Sequence, residues 1–255
     1  MPAKGGLRGL KASSGARLRQ TAPQMWFRLG LRREPLLSFP CPTALSEPAL
    51  VASIASACDA LKQGHTAIFP TDTFFALGAN ALDPAAIREV FELKGRDELM
   101  PLPVLVASVD SMQALSDDVP QEAFAVARRF WPGPLTIVVK RSNRVPQALT
   151  GGGPTIGVRV PDHPVALEIL RNSGIPIVGT SANPSGTPPT KDLAQIHEWF
   201  DGKVRVIVGA PCGRHAAPST VIDLSGGVPI VVREGAVTFD QLHELLPDVT
   251  LGPQR

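Results

Sequence analysis

The chain has 255 residues, 44% hydrophobic and 19% charged, with a formal charge of +2. That length supports a core without disulfide or metal staples, and the three scattered cysteines, Cys41, Cys58 and Cys212, imply a reduced protein with no disulfide framework. No stretch approaches the roughly 18 uninterrupted apolar residues of a membrane span, so none is expected. The charge is unevenly placed. Residues 1–33 hold eight bases (Lys4, Arg8, Lys11, Arg17, Arg19, Arg28, Arg32 and Arg33) and no acid, which leaves 17 bases against 23 acids, a net of −6, in the rest. A polyanion must therefore be met by a local patch, because the field of the whole chain does not attract it.

Residues 1–45 mix Arg, Ser, Gly, Ala and Pro without sustained periodicity, which predicts a basic arm outside the fold. The same composition suits an organelle transit peptide. A disordered arm is the alternative, as is translation from a start upstream of the true one, with Met25 as an internal candidate. The expected location is the cytoplasm, with mitochondrion or plastid as the alternative.

A folded domain is expected over residues 46–250. Ser46 is a candidate cap for a helix with Leu50, Ile54, Ala57 and Leu61 at helical spacing, stopped by Gly64. Thr66–Pro70 reads as a short buried strand. Asp83-Pro84 is a cap followed by proline at the first helical position, opening a helix through Ile87, Val90 and Phe91. A strand is expected over Pro103–Ala107, a helix over Glu122–Phe130, a strand over Leu135–Lys140, a loop at Gly151–Pro154 and a strand over Thr155–Val160. Pro164–Asn172 reads as helix, Ile175–Gly179 as extended and Leu193–Phe200 as helix. Strands at Val204–Val208, Ser219–Leu224 and Pro229–Arg233 and a helix at Phe239–Leu246 close the chain. Two late strands joined only by a turn at Gly226-Gly227 favour a mixed sheet in a single α/β domain flanked by helices.

Four clusters at the ends of these elements carry chemistry. Pro70-Thr-Asp-Thr73 leaves a strand with two hydroxyls and a carboxylate, either to grip a ligand or to form a turn in which Asp72 and Thr73 bond their own backbone. Lys94-Gly-Arg96 ends a helix. Its two cations converge on a polyphosphate only if Gly95 takes the chain out of the helix; otherwise they are solvated charge favoured by the dipole. Thr180-Ser-Ala-Asn183 follows an apolar strand and lines a pocket or caps a loop. Thr155, Gly157 and Arg159 share one strand face, and an Arg there needs an anionic partner, whether a ligand or a protein carboxylate. There is no phosphate-binding G-x-x-x-x-G-K-[ST] loop and no strand-linked G-x-G-x-x-G, and Cys212-x-x-His215 is one pair, too few for structural zinc. No metal ligands are assigned.

In order along the chain, these clusters resemble the YrdC family of threonylcarbamoyl-AMP synthases. The resemblance rests on Pro70–Thr73 with Leu77-Gly78, Lys94–Arg96 with Pro101-Leu102, Phe130-Trp-Pro-Gly-Pro-Leu-Thr136 and Thr155–Pro161. It continues through Ser181-Ala-Asn-Pro-Ser-Gly186, Pro218-Ser-Thr220 and Arg233-x-Gly235, so that it runs over residues 48–235. It implies a twisted sheet of the YrdC/RibB-like type with a concave ligand cleft. It also implies a reaction in which L-threonine, bicarbonate and ATP, with Mg²⁺ on the triphosphate, give threonylcarbamoyl-adenylate and pyrophosphate. A downstream threonylcarbamoyl transferase complex would use the product to modify tRNA. By resemblance, Lys94 and Arg96 are catalytic. Thr73, Arg159, Ser181 and Ser219 hold threonine, and Lys94, Arg96, Thr155, Asn183, Thr190 and Arg233 hold ATP. Phe75 and Ala76 stand where the family text reads Tyr-Gly, Asp97 replaces a proline, and Met100 replaces a polar residue. The rival reading is a non-catalytic factor that binds double-stranded RNA or tRNA on the same fold, which the net −6 of the domain opposes.

Overall fold

The structure, a computed structural model, describes residues 47–253. The basic arm expected over residues 1–45, and Ser46 as a cap, lie outside the described residues. Helix α1 (Pro48–Lys62) instead starts on proline at its first position, with Glu47 as a cap that makes no side-chain bond. Ile54, Ala57 and Leu61 are buried, as their spacing predicts. Strand β1 (Ala67–Pro70) is wholly buried and folds back on β2 (Phe75–Gly78). β2 has no counterpart among the expected strands. All four of its residues are buried, so it offers no alternation of apolar and polar positions to read.

Helix α2 (Pro84–Lys94) opens as its text predicts, with the Asp83 carboxylate accepting from the N–H of Ala85 at 2.9 Å and of Ala86 at 3.4 Å. It ends at Gly95, whose φ of 58° takes the chain out of the helix. There follow β3 (Val104–Leu105), α3 (Gln121–Phe130), β4 (Leu135–Lys140), β5 (Thr155–Arg159) and α4 (Pro164–Ser173). The rest is β6 (Ile177–Val178), β7 (Thr180–Ser181), α5 (Leu193–Phe200), β8 (Val206–Ile207), β9 (Thr220–Asp223), β10 (Ile230–Arg233), α6 (Phe239–His243) and β11 (Thr250–Leu251).

The mixed pairing expected from the late hairpin is present, divided over two hydrogen-bonded sheets. One has the order β7-β2-β1-β8 and the other β11-β10-β9-β4-β5-β3-β6. β9 and β10 form the antiparallel hairpin across Gly226-Gly227, while β9 runs parallel to β4 and β3 parallel to β5. The segment expected to be one extended run, Ile175–Gly179, is the junction. β6 pairs with β3 in the large sheet and β7 pairs with β2 in the small one, with Gly179 between them. A Cβ on Gly179 would meet the Leu105 side chain, with Cδ1 and Cδ2 at 2.8 Å, so only glycine lets the chain cross here. Gly179→Ala is expected to cost about 1–3 kcal/mol by overpacking, measured as a lower urea midpoint with an unchanged m-value.

Candidate active site: a cationic cleft where the sheets meet

The turn between β1 and β2 begins the site. Thr71 Oγ1 donates to Phe74 O at 2.7 Å and accepts from the Thr73 N–H at 3.2 Å. Thr71 is therefore the residue that closes the turn, and the side chains of Asp72 and Thr73 are released from their own backbone. Asp72 Oδ1 pairs with Arg159 Nη2 at 2.5 Å, with side chains only 4% and 8% exposed respectively. Arg159 Nε also donates to Gly133 O at 2.9 Å, and Nη1 to Thr73 Oγ1 at 3.4 Å. The anionic partner that the strand arginine required is thus a protein carboxylate from the first cluster. The face alternation of β5 also follows expectation. Ile156 and Val158 enter the core, Thr155 and Gly157 are half-buried, and Arg159 reaches the cleft. A loop from the far side seats this corner, through Gly213 N–H to Thr71 O at 2.8 Å and His215 N–H to Asp72 O at 3.2 Å.

The two cations at the end of α2 part company at Gly95. Lys94 is 4% exposed and does not line the cleft. Its Nζ donates to Ser181 O at 2.5 Å and Asn183 O at 2.7 Å, with Asn183 Oδ1 at 3.5 Å. It is a strut behind the wall that carries β7. Arg96 faces the cleft, its Nη2 on Pro101 O at 3.2 Å and its Nε buried with no partner among the described residues. Asn183 turns its amide onto Thr187 O at 2.7 Å and Pro184 O at 3.0 Å, stapling the loop that follows β7.

Burial, and then the neighbouring Arg96, bring the Lys94 ammonium down to about 8. A lysine that releases its proton more readily when folded opposes folding below that value, and the opposition fades as pH rises towards 10.5, the ordinary value for lysine. Wild-type stability is therefore expected to gain a rising contribution between pH 8 and 10 that Lys94→Met lacks. Urea midpoints across that window check the sign.

The opposite wall comes from the start of β9 and the end of β10. Ser219 Oγ lies 3.1 Å from Thr136 Oγ1, and Arg233 Nη2 donates to Ser219 O at 2.7 Å and to Ser219 Oγ at 3.2 Å. Desolvation first, and the Arg159 charge second, lower the Arg233 pKa. Besides Lys94, two more of the expected residues stand outside the lining. Thr155 is at the far end of β5, in register with Lys140, and Thr190 Oγ1 accepts from Asp192 N–H at 3.0 Å while Thr190 O receives Phe75 N–H at 3.5 Å.

The resulting cleft has a volume of about 380 Å³. Arg96, Arg159 and Arg233 line it, together with hydroxyls of Thr73, Ser181 and Ser219, and among the described residues no Asp or Glu does so. Asp72 is the residue of this corner that reading along the chain undervalued. Its place between two threonines is the only local signal, because its partner is 87 positions away. The departures from the family text are placed as follows. Phe75 is 1% exposed and lines the cleft with Ala76, which is in register with Ser181. Asp97 Oδ1 accepts from Leu99 N–H at 2.9 Å, turning the loop after Arg96, and Met100 is exposed and outside the lining. Among the described residues there is no cluster of three or more metal-ligating side chains. Burial pushes the Cys212 thiol up to about 11, away from a reactive thiolate.

A mixed α/β domain with three arginines and several hydroxyls converging on one cleft has the chemistry of a domain that receives an anionic ligand. The family described as "Telomere recombination", Sua5/YciO/YrdC, matches residues 59–235, and the chain belongs to this family. It is 38% identical over 193 residues to the threonylcarbamoyl-AMP synthase of Pyrococcus abyssi, covering 76% of this chain and 57% of that protein. It is 37% identical over 196 residues to the Bacillus subtilis threonylcarbamoyl-AMP synthase, covering 76% and 56%. The crystal structure of P. abyssi Sua5 complexed with L-threonine superposes with a TM-score of 0.76 at 38% identity, covering 78% of this chain and 59% of that one. The chain thus spans somewhat over half the length of these relatives. No helix among the described residues is long and apolar enough to cross a membrane.

Proposed function

We propose that the cleft makes threonylcarbamoyl-adenylate from L-threonine, bicarbonate and ATP, releasing pyrophosphate. The observation that carries this reading is the convergence of Arg96, Arg159 and Arg233 with the hydroxyls of Thr73, Ser181 and Ser219 on one cleft. A relative described with L-threonine bound shares the fold. Threonine lies at the Arg159 end, held by Arg159, Thr73, Ser181 and Ser219. ATP lies beside it, its phosphates on Arg96 and Arg233 with Asn183 next to them, and Thr155 and Thr190, which stand outside the lining, meet only parts of the nucleotide that extend beyond the cleft. Lys94 serves catalysis by holding Ser181 and Asn183 in place.

The threonine ammonium gives one proton to solvent, its nitrogen bonds to the carbon of bicarbonate, the hydroxyl leaves as water with an N–H proton, and a carbamate forms. A carbamate oxygen then attacks the α-phosphorus, and the bond to the β-phosphate oxygen breaks as pyrophosphate departs. Two anions must approach each other, so guanidinium charge that neutralises phosphate and fixes the line of attack supplies most of the rate. No enzyme nucleophile is required. Mg²⁺ enters on the triphosphate as part of the substrate. A separate transferase consumes the adenylate in modifying tRNA.

Purified protein with ATP, Mg²⁺ and bicarbonate, assayed with and without L-threonine, tests the reading. Pyrophosphate release that needs both threonine and bicarbonate is the expected result. Folded protein that releases none, yet binds double-stranded RNA in a salt-sensitive way, would replace it with the RNA-binding reading.

A further inference from the structure

Nothing in the reaction above gives Asp72 a part, yet among the described residues it is the carboxylate that pairs with an arginine of the cleft. Its Oδ1 holds Arg159 at 2.5 Å, and its Oδ2 is buried without a partner among the described residues. Within the described structure Arg159 is thus its only salt-bridge partner. The guanidinium is in turn spread over three acceptors, on Asp72, Thr73 and Gly133. Arg96 and Arg233 stand differently. Neither makes a salt bridge among the described residues, and each donates only to backbone or hydroxyl oxygen. The three arginines of the cleft therefore do not carry equal net charge.

We propose that Asp72 is a specificity-determining residue: by neutralising Arg159 it leaves that guanidinium as a charge-balanced donor for the amino acid, and Arg96 and Arg233 as the uncompensated cations for phosphate. The proposal rests on the functional reading above. A zwitterion brings one carboxylate and one ammonium and is best met by an oriented but neutral pair. A phosphate chain with several charges would otherwise be drawn onto all three guanidiniums, and through the Arg159 position it would occupy the threonine site. Asp72 removes that attraction without removing the Arg159 hydrogen-bond donors.

Calorimetry of wild type and Asp72→Asn, with inorganic pyrophosphate and L-threonine as separate probes, tests this. The variant keeps the side-chain shape and an acceptor for Arg159 but deletes the charge. Pyrophosphate is expected to bind on the order of tenfold tighter, since a unit charge a few ångströms away in partly screened surroundings is worth that much. Threonine is expected to bind several-fold more weakly. Opposite signs are the signature, because a merely structural role would weaken both. Parallel loss, or no change for pyrophosphate, overturns the proposal. The double variant Asp72→Asn with Arg159→Met leaves no unpaired charge, and its pyrophosphate affinity is expected to return to about the wild-type value. If the single variant fails to give native circular dichroism, a tenfold loss of pyrophosphate affinity in the double variant overturns the proposal. Wild type that binds pyrophosphate but not threonine sinks the functional reading itself, and this proposal with it.

Discussion

Arg96→Ala is expected to lower threonine-dependent pyrophosphate release by ~10²–10³-fold, the usual loss when a preorganised donor to a developing anion is removed. The thermal midpoint should move by no more than about 2 °C. The second half of this expectation comes from the bonding. Arg96 makes a single protein hydrogen bond, 3.2 Å to Pro101 O, and no salt bridge among the described residues, so its removal strands no buried carboxylate. Steady-state kinetics beside differential scanning calorimetry check both parts. Wild-type turnover, or a large fall in midpoint, would remove Arg96 from the phosphate site. Lys94→Ala should behave differently, because it leaves Ser181 O and Asn183 O without their donor. Buried acceptors stranded in this way cost about 1–3 kcal/mol each, so activity and stability fall together.

Arg159→Ala carries the largest expected stability change. It strands the Asp72 carboxylate, which is 4% exposed, and breaking a buried pair from one side costs about 3–5 kcal/mol. Urea unfolding of wild type and variant at neutral pH measures the loss as a lower midpoint. Where the variant stays folded, threonine affinity is expected to fall more than ATP affinity; titration showing the reverse would move Arg159 to the nucleotide.

Elements with strong local punctuation were legible. Asp83-Pro84 placed the start of α2 and Gly226-Gly227 the hairpin of β9 and β10, because caps and turns act over a few residues. β4 was legible as an apolar run of normal strand length. β2, β7 and β11 were not: the first is buried on both faces and the others are two residues long. Their existence depends on partners distant in the chain. The site divides in the same way. The residue types and their clustering were readable, and Gly95 correctly marked where the chain leaves the helix. Which cation turns inward after that glycine was not, because Lys94 finds its acceptors 87 and 89 positions away. The same distance separates Asp72 from Arg159. Local text offers a carboxylate and an arginine, and only the folded sheets make them a pair.

Strand β7 is two residues long and paired through only Ala76 to Ser181 and Leu77 to Thr180. Two pairs cannot define their own alignment, and a slip by one residue would turn Ser181 from the cleft to the opposite face. The alignment is set from outside, by Leu105 against Gly179 on one side and by the Lys94 ammonium on the carbonyls of Ser181 and Asn183 on the other. The fold therefore has an asymmetric tolerance to changes in chain length. Residues added after Thr187, where the loop is exposed, extend a surface excursion between two fixed anchors. A single residue added between Val178 and Asn183 shifts every hydroxyl and amide on that wall at once, so lineages that remodel this cleft are confined to exchanging side chains there.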